Sequence, residues 1–281
     1  MNYCDYKTFK TEAKDGILRV TFDLPPINVQ SIQMLDDLND LAEILEKDKN
    51  IKVVIFQSAN PNFFVAHADI TFLKDMSTEP IERKNSHLSK LQSVLDRISK
   101  LPQATIAKIE GFARGGGHEF ALACDMRFAA RGKAIFMQME VGMGILPCGG
   151  GASRMARQTG LGKALEIILS ARDFDADEAE KYGTVNKALD PDEITSYVDD
   201  LAARISKFPS ESITACKRTV YATIDLPMEE ALKEEESQLY QATSQTPAIE
   251  RFKHAYDTDF QNSLENQRNF ESLLMDLQDI K

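Results

Sequence analysis

The chain has no apolar run that approaches the roughly 18 residues needed to cross a membrane. Its first residues contain neither the apolar core of a signal peptide nor the acid-poor, Arg-rich composition of a transit peptide. Cysteine is scarce, and Cys4, Cys124, Cys148 and Cys216 lack both CxxC spacing and the density of a secreted disulfide framework. We therefore expect a soluble cytoplasmic protein, in a reducing compartment and without a membrane partner.

Positive charge is in deficit, because 33 Lys and Arg residues face 44 Asp and Glu residues, for a formal net charge of −11. This balance disfavours nucleic acid and anionic membranes as main partners, although local basic residues can still bind a phosphorylated ligand. With 281 residues and 43% hydrophobic content, the chain can bury a substantial core. It contains no low-complexity tract, no obvious internal repeat and no flexible linker.

Hydrophobic periodicity predicts strands that alternate with helices up to about residue 190, and helices almost alone after it. The predicted strands are 17–24, 52–57, 105–109, 126–130 and 134–138. The predicted helices are one capped by Ser31 and then 87–99, 151–158, 163–170, 176–182, 191–207, 211–224, 228–243, 249–257 and 262–277. We therefore expect an α/β domain over 1–190 and a helical module over 191–281.

The stretch 110–125, EGFARGGGHEFALACD, is the strongest sign of function. Gly115, Gly116 and Gly117 precede a short apolar run that should begin a helix, and Glu119 lies within that run. Glycine allows a ligand to approach the backbone, and the first turn of a helix has free N–H groups that suit an anion. A carboxylate one turn away indicates catalysis.

Two further segments carry weaker signals. In residues 64–70, FVAHADI, the small side chains of Ala66 and Ala68 leave backbone N–H groups accessible. Taken alone, this segment is more simply an ordinary turn with Asp69 as a helix N-cap. Glu140 follows the strand 134–138 and precedes a glycine-rich loop. Taken alone, it is more simply an incidental acid in a surface turn.

In their order and spacing, the three segments resemble the crotonase superfamily, also called the enoyl-CoA hydratase/isomerase family. The resemblance covers roughly residues 12–255. The family pattern AGAD[IL] corresponds to residues 66–70, and GxxxGGGxE[LF]ALxCD corresponds to residues 111–125. The pattern ExxxGxxPxxGG matches Glu140, Gly144, Pro147, Gly150 and Gly151, and the early NALx3Mx2EL signature is echoed by Asn28, Met34, Asp37 and Leu38.

The resemblance implies an α/β crotonase (ClpP-like) fold with a ββα-type core, and an acyl-CoA thioester as substrate. No other cofactor and no metal are implied, since coenzyme A enters as part of the substrate. The backbone N–H groups of Ala68 and Gly116 would stabilise an enolate-like oxyanion. Glu119 would activate water toward Cβ and Glu140 would deliver a proton to Cα, which gives syn hydration of a 2-enoyl-CoA. The other substrate-binding positions that it implies are Asn28, Val29, Ala66, His67, Asp69, Ile70 and Gly115.

Two alternatives remain open. An enoyl-CoA isomerase moves a double bond and can work with one carboxylate at the position of Glu140, so the retention of Glu119 favours hydration. A catalytically idle acyl-CoA-binding or scaffold homologue is the more remote alternative. The resemblance also implies that the helical module mediates a homotrimer or a dimer of trimers. C-terminal candidates for substrate contact are Arg251, Phe252, Lys253 and Arg268.

Three residues depart from the family patterns. His67 and Cys148 stand where the family usually has glycine, and Met139 replaces the common proline before Glu140. We expect His67 to be a turn residue along the pocket wall, and Cys148 to be non-catalytic because no activating partner is recognisable. His118 is expected to serve packing and not proton transfer. These departures predict a pocket shaped for an unusual acyl group.

Overall fold

A computed structural model describes residues 3, 6–74, 79–258 and 260–277, and Cys4 lies outside them. The strands of the described residues form two sheets. They are β1 (Phe9–Lys14), β2 (Ile17–Phe22), β3 (Val53–Ser58), β4 (Phe63–Val65), β5 (Ala104–Ile109), β6 (Phe112–Arg114), β7 (Met126–Ala130), β8 (Ile135–Met137), β9 (Phe174–Asp175) and β10 (Lys187–Leu189).

The larger sheet has the order β1-β2-β3-β5-β7-β10, in which only β1 and β2 pair antiparallel. The smaller sheet has the order β4-β6-β8-β9, in which β9 is antiparallel to its neighbour. Strands β1, β4, β6, β9 and β10 were not predicted. β1 reads FKTEAK, with almost no apolar alternation, and it is a strand because Phe9 pairs opposite Phe22 at the edge of the sheet.

The helices are α1 (Ile32–Leu45), α2 (Lys90–Ser99), α3 (Gly116–Ala123), α4 (Gly151–Thr159), α5 (Leu161–Ser170), α6 (Ala176–Tyr182), α7 (Ile194–Ser206), α8 (Ser210–Thr223), α9 (Met228–Thr243), α10 (Thr246–Asp257), α11 (Leu264–Arg268) and α12 (Phe270–Asp276). Ser31 caps α1 as predicted, because its side chain accepts a hydrogen bond from the N–H of Met34.

The prediction of one continuous helix over 262–277 was wrong. The chain leaves helical geometry at Asn269, with φ −103° and ψ 20°, between α11 and α12. Phe270 packs edge-on against Phe260, with 4.8 Å between ring centroids. This aromatic contact packs the start of α12 against the loop before α11.

The main core lies between the two sheets, and α3 passes through it. All eight residues of α3 are buried. Phe120 of this helix contacts Phe22 and Phe56, with centroid distances of 5.3 and 5.0 Å. A helix that is buried on every side needs an almost wholly apolar sequence, so the one carboxylate of α3 lies in a dry environment. A second, smaller core lies on the other face of the larger sheet, where Val198 and Ala202 of α7 cover it.

Three parallel strands of the smaller sheet bring the motif segments to one edge. Phe63 of β4 pairs with Phe112 of β6, and Arg114 of β6 pairs with Met137 of β8. Because parallel strands run in the same direction, their carboxyl ends meet at the same edge. The three stretches that follow β4, β6 and β8 are therefore neighbours.

Candidate active site

The backbone of Ala68 lies directly beside that of Gly116. A methyl group placed on Gly116 would come within 2.9 Å of the Ala68 N atom and 2.8 Å of its Cβ. Gly115, just before α3, has φ 46°, a left-handed conformation that favours glycine. The structure thus brings together the two residues that the sequence predicted as an oxyanion pair, and close approach requires glycine at position 116.

Local geometry leaves the N–H groups of both residues available. Ala68 forms a parallel bridge with Gln30, whose N–H donates to His67 O (2.9 Å) and whose carbonyl accepts from Asp69 N (3.0 Å). In such a bridge the flanking residues make the hydrogen bonds to Gln30, and the N–H of Ala68 points away from Gln30. The Gly116 N–H lies in the first turn of α3, where the helix provides no acceptor and its dipole favours negative charge.

Glu119 is a buried carboxylate with two backbone donors. It is 2% exposed. Its Oε1 accepts hydrogen bonds from Gly149 N (2.6 Å) and Gly151 N (2.8 Å). Both bonds go to Oε1, so these donors do not occupy Oε2. Sequence reasoning missed this pair of donors, although the glycines of the third motif were the available signal.

Glu140 begins a single 3₁₀ turn, Glu140–Met143, directly after β8. Its Oε1 lies against Gly115, since a methyl group on that glycine would be 2.7 Å from it. Its Oε2 is buried and has no hydrogen-bond partner among the described residues. Met139, which replaces the usual proline, also places its Sδ beside Gly115. Glu140 therefore turns inward to the start of α3, although the rest of its turn is exposed.

Burial raises the pKa of both glutamates. The pKa of Glu119 rises from 4.5 to about 7, chiefly by desolvation, while the N–H donors of Gly151 and Gly149 oppose the rise and the charge of Glu140 adds to it. Burial also raises the pKa of Glu140. With a pKa of about 7, the Glu119 carboxyl can either hold or release a proton near neutral pH. Such a pair can supply both an acid and a base.

Asn28 is 1% exposed, and its side chain stabilises the turn that precedes α1. Its side chain accepts from Leu24 N (2.7 Å) and donates to Ser58 Oγ (2.8 Å) and Phe64 O (3.0 Å). Its φ of 52° is one that Asn tolerates better than most residues. Val29 is partly exposed. The side chain of Asn28 thus stabilises the fold, and a contact of Asn28 or Val29 with the substrate stays a prediction.

The remaining predicted substrate positions form the stretch between β4 and the next turn. Ala66 is 3% exposed, whereas Ile70 is 62% exposed. Asp69 caps the 3₁₀ turn Ile70–Leu73, because its Oδ1 accepts from Thr71 N at 2.9 Å. The N-cap interpretation of Asp69 is therefore confirmed, and it coexists with the free N–H of the residue before it.

Two of the unusual residues have ordinary local roles. His67 does not belong to the residues with positive φ, so it carries no strain there, and its Nδ1 lies 2.9 Å from Ala68 O. Desolvation and the nearby charge of Glu119 raise the pKa of the Cys148 thiol. A protonated thiol is a weak nucleophile, which agrees with a non-catalytic Cys148.

His118 is fully buried, and its environment keeps it neutral. Desolvation, with a smaller contribution from the charge of Arg127, lowers its pKa to about 3. Its ring packs against Phe136 and Phe174, with centroid distances of 5.2 and 5.7 Å. Its Nδ1 lies 3.2 Å from Gln138 Nε2. The packing interpretation of His118 is confirmed.

The C-terminal residues that were candidates for substrate contact do not lie beside Glu119 and Glu140 in this chain. Arg251 and Phe252 line a separate cavity of about 1790 Å³ beside α8 and α10. Arg251 donates to Lys207 O at 3.2 Å. Lys253 and Arg268 are exposed. A role for them in substrate binding stays a prediction.

The part of the chain that the structure describes has neither a candidate metal-binding cluster nor a candidate membrane-spanning helix. None of its His, Cys, Asp and Glu residues gather in a group of three or more that could hold a metal ion. None of its helices is long and apolar enough to span a bilayer.

Comparison with known proteins relates the chain to one family. The family model for enoyl-CoA hydratase/isomerase matches residues 12–266. The chain is 34% identical over 223 residues to the short-chain-enoyl-CoA hydratase of Clostridium acetobutylicum, which covers 79% of this chain and 84% of that protein. It is 36% identical over 179 residues to the crotonyl-CoA hydratase of Syntrophomonas wolfei subsp. wolfei, in a match that covers 64% of this chain and 67% of that protein.

A similar fold is found among solved structures. The enoyl-CoA hydratase of Bacillus anthracis matches with a TM-score of 0.81 and 25% identity, over 90% of this chain and 97% of that chain. This likeness and the family match confirm the predicted α/β crotonase fold. The chain belongs to the enoyl-CoA hydratase/isomerase family.

Proposed function

We propose that the protein hydrates a 2-enoyl-CoA to a 3-hydroxyacyl-CoA. One observation carries the proposal: the free N–H groups of Ala68 and Gly116 lie in the same site as the buried carboxyl of Glu119 and the half-buried carboxyl of Glu140, both with raised pKa values. The names of the related proteins, short-chain-enoyl-CoA hydratase and crotonyl-CoA hydratase, support the same reaction class.

The reaction needs an oxyanion site, a base and an acid. The thioester oxygen accepts hydrogen bonds from the N–H groups of Ala68 and Gly116. These bonds polarise the carbonyl and so withdraw electrons from the conjugated double bond. Glu119 takes a proton from water through Oε2 while the water oxygen bonds to Cβ. The electron pair moves to the thioester oxygen and forms an enolate. Glu140 then gives a proton to Cα, and proton exchange with solvent resets the pair.

Glu119 is the better candidate for the base. The donors on its Oε1 hold the carboxylate in place and favour its charged form. The buried Oε2 of Glu140 has no partner among the described residues, which suits a group that carries a proton to the substrate. The product stereochemistry expected from this arrangement is that of syn addition.

An enoyl-CoA isomerase is the second candidate, since Glu140 alone can move a proton between carbons. The retained, oriented Glu119 favours hydration, because a double-bond shift has no need of a base for water. We further propose that coenzyme A enters as part of the substrate, and that the chain assembles as a homotrimer or a dimer of trimers through its helical C-terminal module.

A product analysis separates these reactions. The purified protein is incubated with 2-enoyl-CoAs of several chain lengths, and products are identified by mass together with chromatographic retention, since an isomer has the mass of its substrate. A gain of one water supports hydration, an isomeric product favours the second candidate, and no change across the panel contradicts both.

Variants then test the residues. Glu140→Gln and Glu119→Gln should each lower kcat at least about tenfold with the fold intact. Glu235→Gln, at an exposed position of α9, is the control that should retain activity. A smaller loss in the first two variants would contradict the assigned roles.

A further inference from the structure

The side chain of Gln30 is a buried amide without a partner. Gln30 is 0% exposed. Neither its Oε1 nor its Nε2 forms a hydrogen bond with any described residue. Its backbone, in contrast, is fully engaged in the bridge to the segment of Ala68. The local structure is therefore held by the main chain and has no need of a polar side chain at this position.

This amide lies against the oxyanion pair. A methyl group on Gly116 would come within 2.4 Å of Gln30 Oε1 and 2.9 Å of Ala68 N. Gln30 and Ala68 are opposite each other in the parallel bridge, so their side chains lie on the same face. The amide thus borders the same side of Gly116 as the Ala68 N–H.

An unpaired amide in a dry site is costly, and an apolar side chain of similar size would fill the space without that cost. A cost of this kind is explained when a ligand supplies the missing partner. The two ends of the amide exchange places by rotation of the terminal torsion, so the Nε2–H group can occupy the position next to Gly116.

We propose that Gln30 is a third hydrogen-bond donor of the oxyanion site, and that its Nε2–H binds the thioester oxygen of the acyl-CoA. The inference rests on the proposed function, since it requires an acyl-CoA at this site. Donation to the developing oxyanion stabilises the enolate more than the neutral carbonyl, and Gln30 therefore acts mainly on kcat.

The test is Gln30→Met, which keeps the length of the side chain and removes the amide. With an enoyl-CoA that the wild type hydrates, kcat should fall at least about tenfold while KM changes less than about threefold. The thermal midpoint should stay equal or rise, because an unpaired buried amide is removed. The proposal would be overturned by a fall in kcat smaller than about tenfold, or by a rise in KM as large as the fall in kcat. It would also be overturned if kcat fell only in proportion to the loss of folded protein.

Gln103→Met is the matched control. Gln103 is 2% exposed, but its Nε2 donates to Leu45 O (2.8 Å) and Asp48 O (3.0 Å), away from the site. This variant should lose stability and keep kcat, the opposite of the result expected for Gln30→Met. Gln30→Glu is the second variant: its carboxylate should depress kcat further at neutral pH, with partial recovery as the pH falls and the carboxyl becomes a donor.

Enolate formation separates this inference from the hydratase proposal. A 3-ketoacyl-CoA forms an enolate with its own near-ultraviolet absorbance, and an oxyanion site should raise the enolate fraction without turnover. A lower enolate fraction in Gln30→Met than in wild type supports the inference, even if wild type hydrates no enoyl-CoA. Equal enolate fractions would overturn it, even if wild type is an active hydratase.

Discussion

Replacing Glu119 with glutamine should make the protein more stable at high pH while it removes activity. The folded state raises the pKa of Glu119 from 4.5 to about 7. A raised pKa means that the folded protein holds the proton more tightly, so the stability from this group is complete below 4.5 and is lost as the pH rises through 7. Above that pH, wild type must hold a buried charge.

The size of the effect follows from the difference between the two pKa values, which corresponds to about 3 kcal/mol at alkaline pH. Glutamine has no charge to bury, and its carbonyl can still accept from Gly149 and Gly151. Between about pH 5 and about pH 8.5, the advantage of Glu119→Gln over wild type in free energy of unfolding should therefore grow by about 2–3 kcal/mol.

Urea unfolding at each pH and at one protein concentration measures this difference, with kcat recorded for the same samples. Glu235→Gln, at an exposed site, should follow wild type at both pH values. An advantage that is equal at both pH values, or a variant less stable than wild type at about pH 8.5, would refute the argument that burial of the Glu119 charge is costly.

Two further predictions concern the backbone around the site. Gly116→Ala places a methyl group within 2.4 Å of Gln30 Oε1 and 2.9 Å of Ala68 N; displacement of the oxyanion donors should lower kcat about 100-fold in the enoyl-CoA assay. Gly162→Ala in α5, where a methyl group meets nothing within 4 Å, should retain wild-type kcat, and a loss shared by both variants would point to a general effect of alanine. Asn28→Ala removes the side-chain hydrogen bonds to Leu24, Ser58, Phe63 and Phe64 at a buried residue with φ 52°. It should lower the free energy of unfolding by about 2–4 kcal/mol in chemical denaturation, and a change below about 1 kcal/mol would show that the turn does not depend on this side chain.

Several parts of the fold could be read from local pattern. The apolar face of α1 and its Ser31 cap follow from spacing along one helix, and the structure has both. β1, β4 and β6 could not be read in this way, because they are short or poor in apolar residues and become strands only by pairing with distant segments. The break at Asn269 depends likewise on the contact of Phe270 with Phe260.

The sequence by itself determined the α/β class, the helical C-terminal region and the three motif segments with their two glutamates and glycines. These properties depend on residue type and on spacing along the chain. Tertiary structure alone decided that Gly149 and Gly151 reach back to Glu119, that burial lifts its pKa to about 7, and that Gln30 borders Gly116. Desolvation and close approach arise only when segments far apart in sequence pack together, and they leave no periodic signal in the sequence.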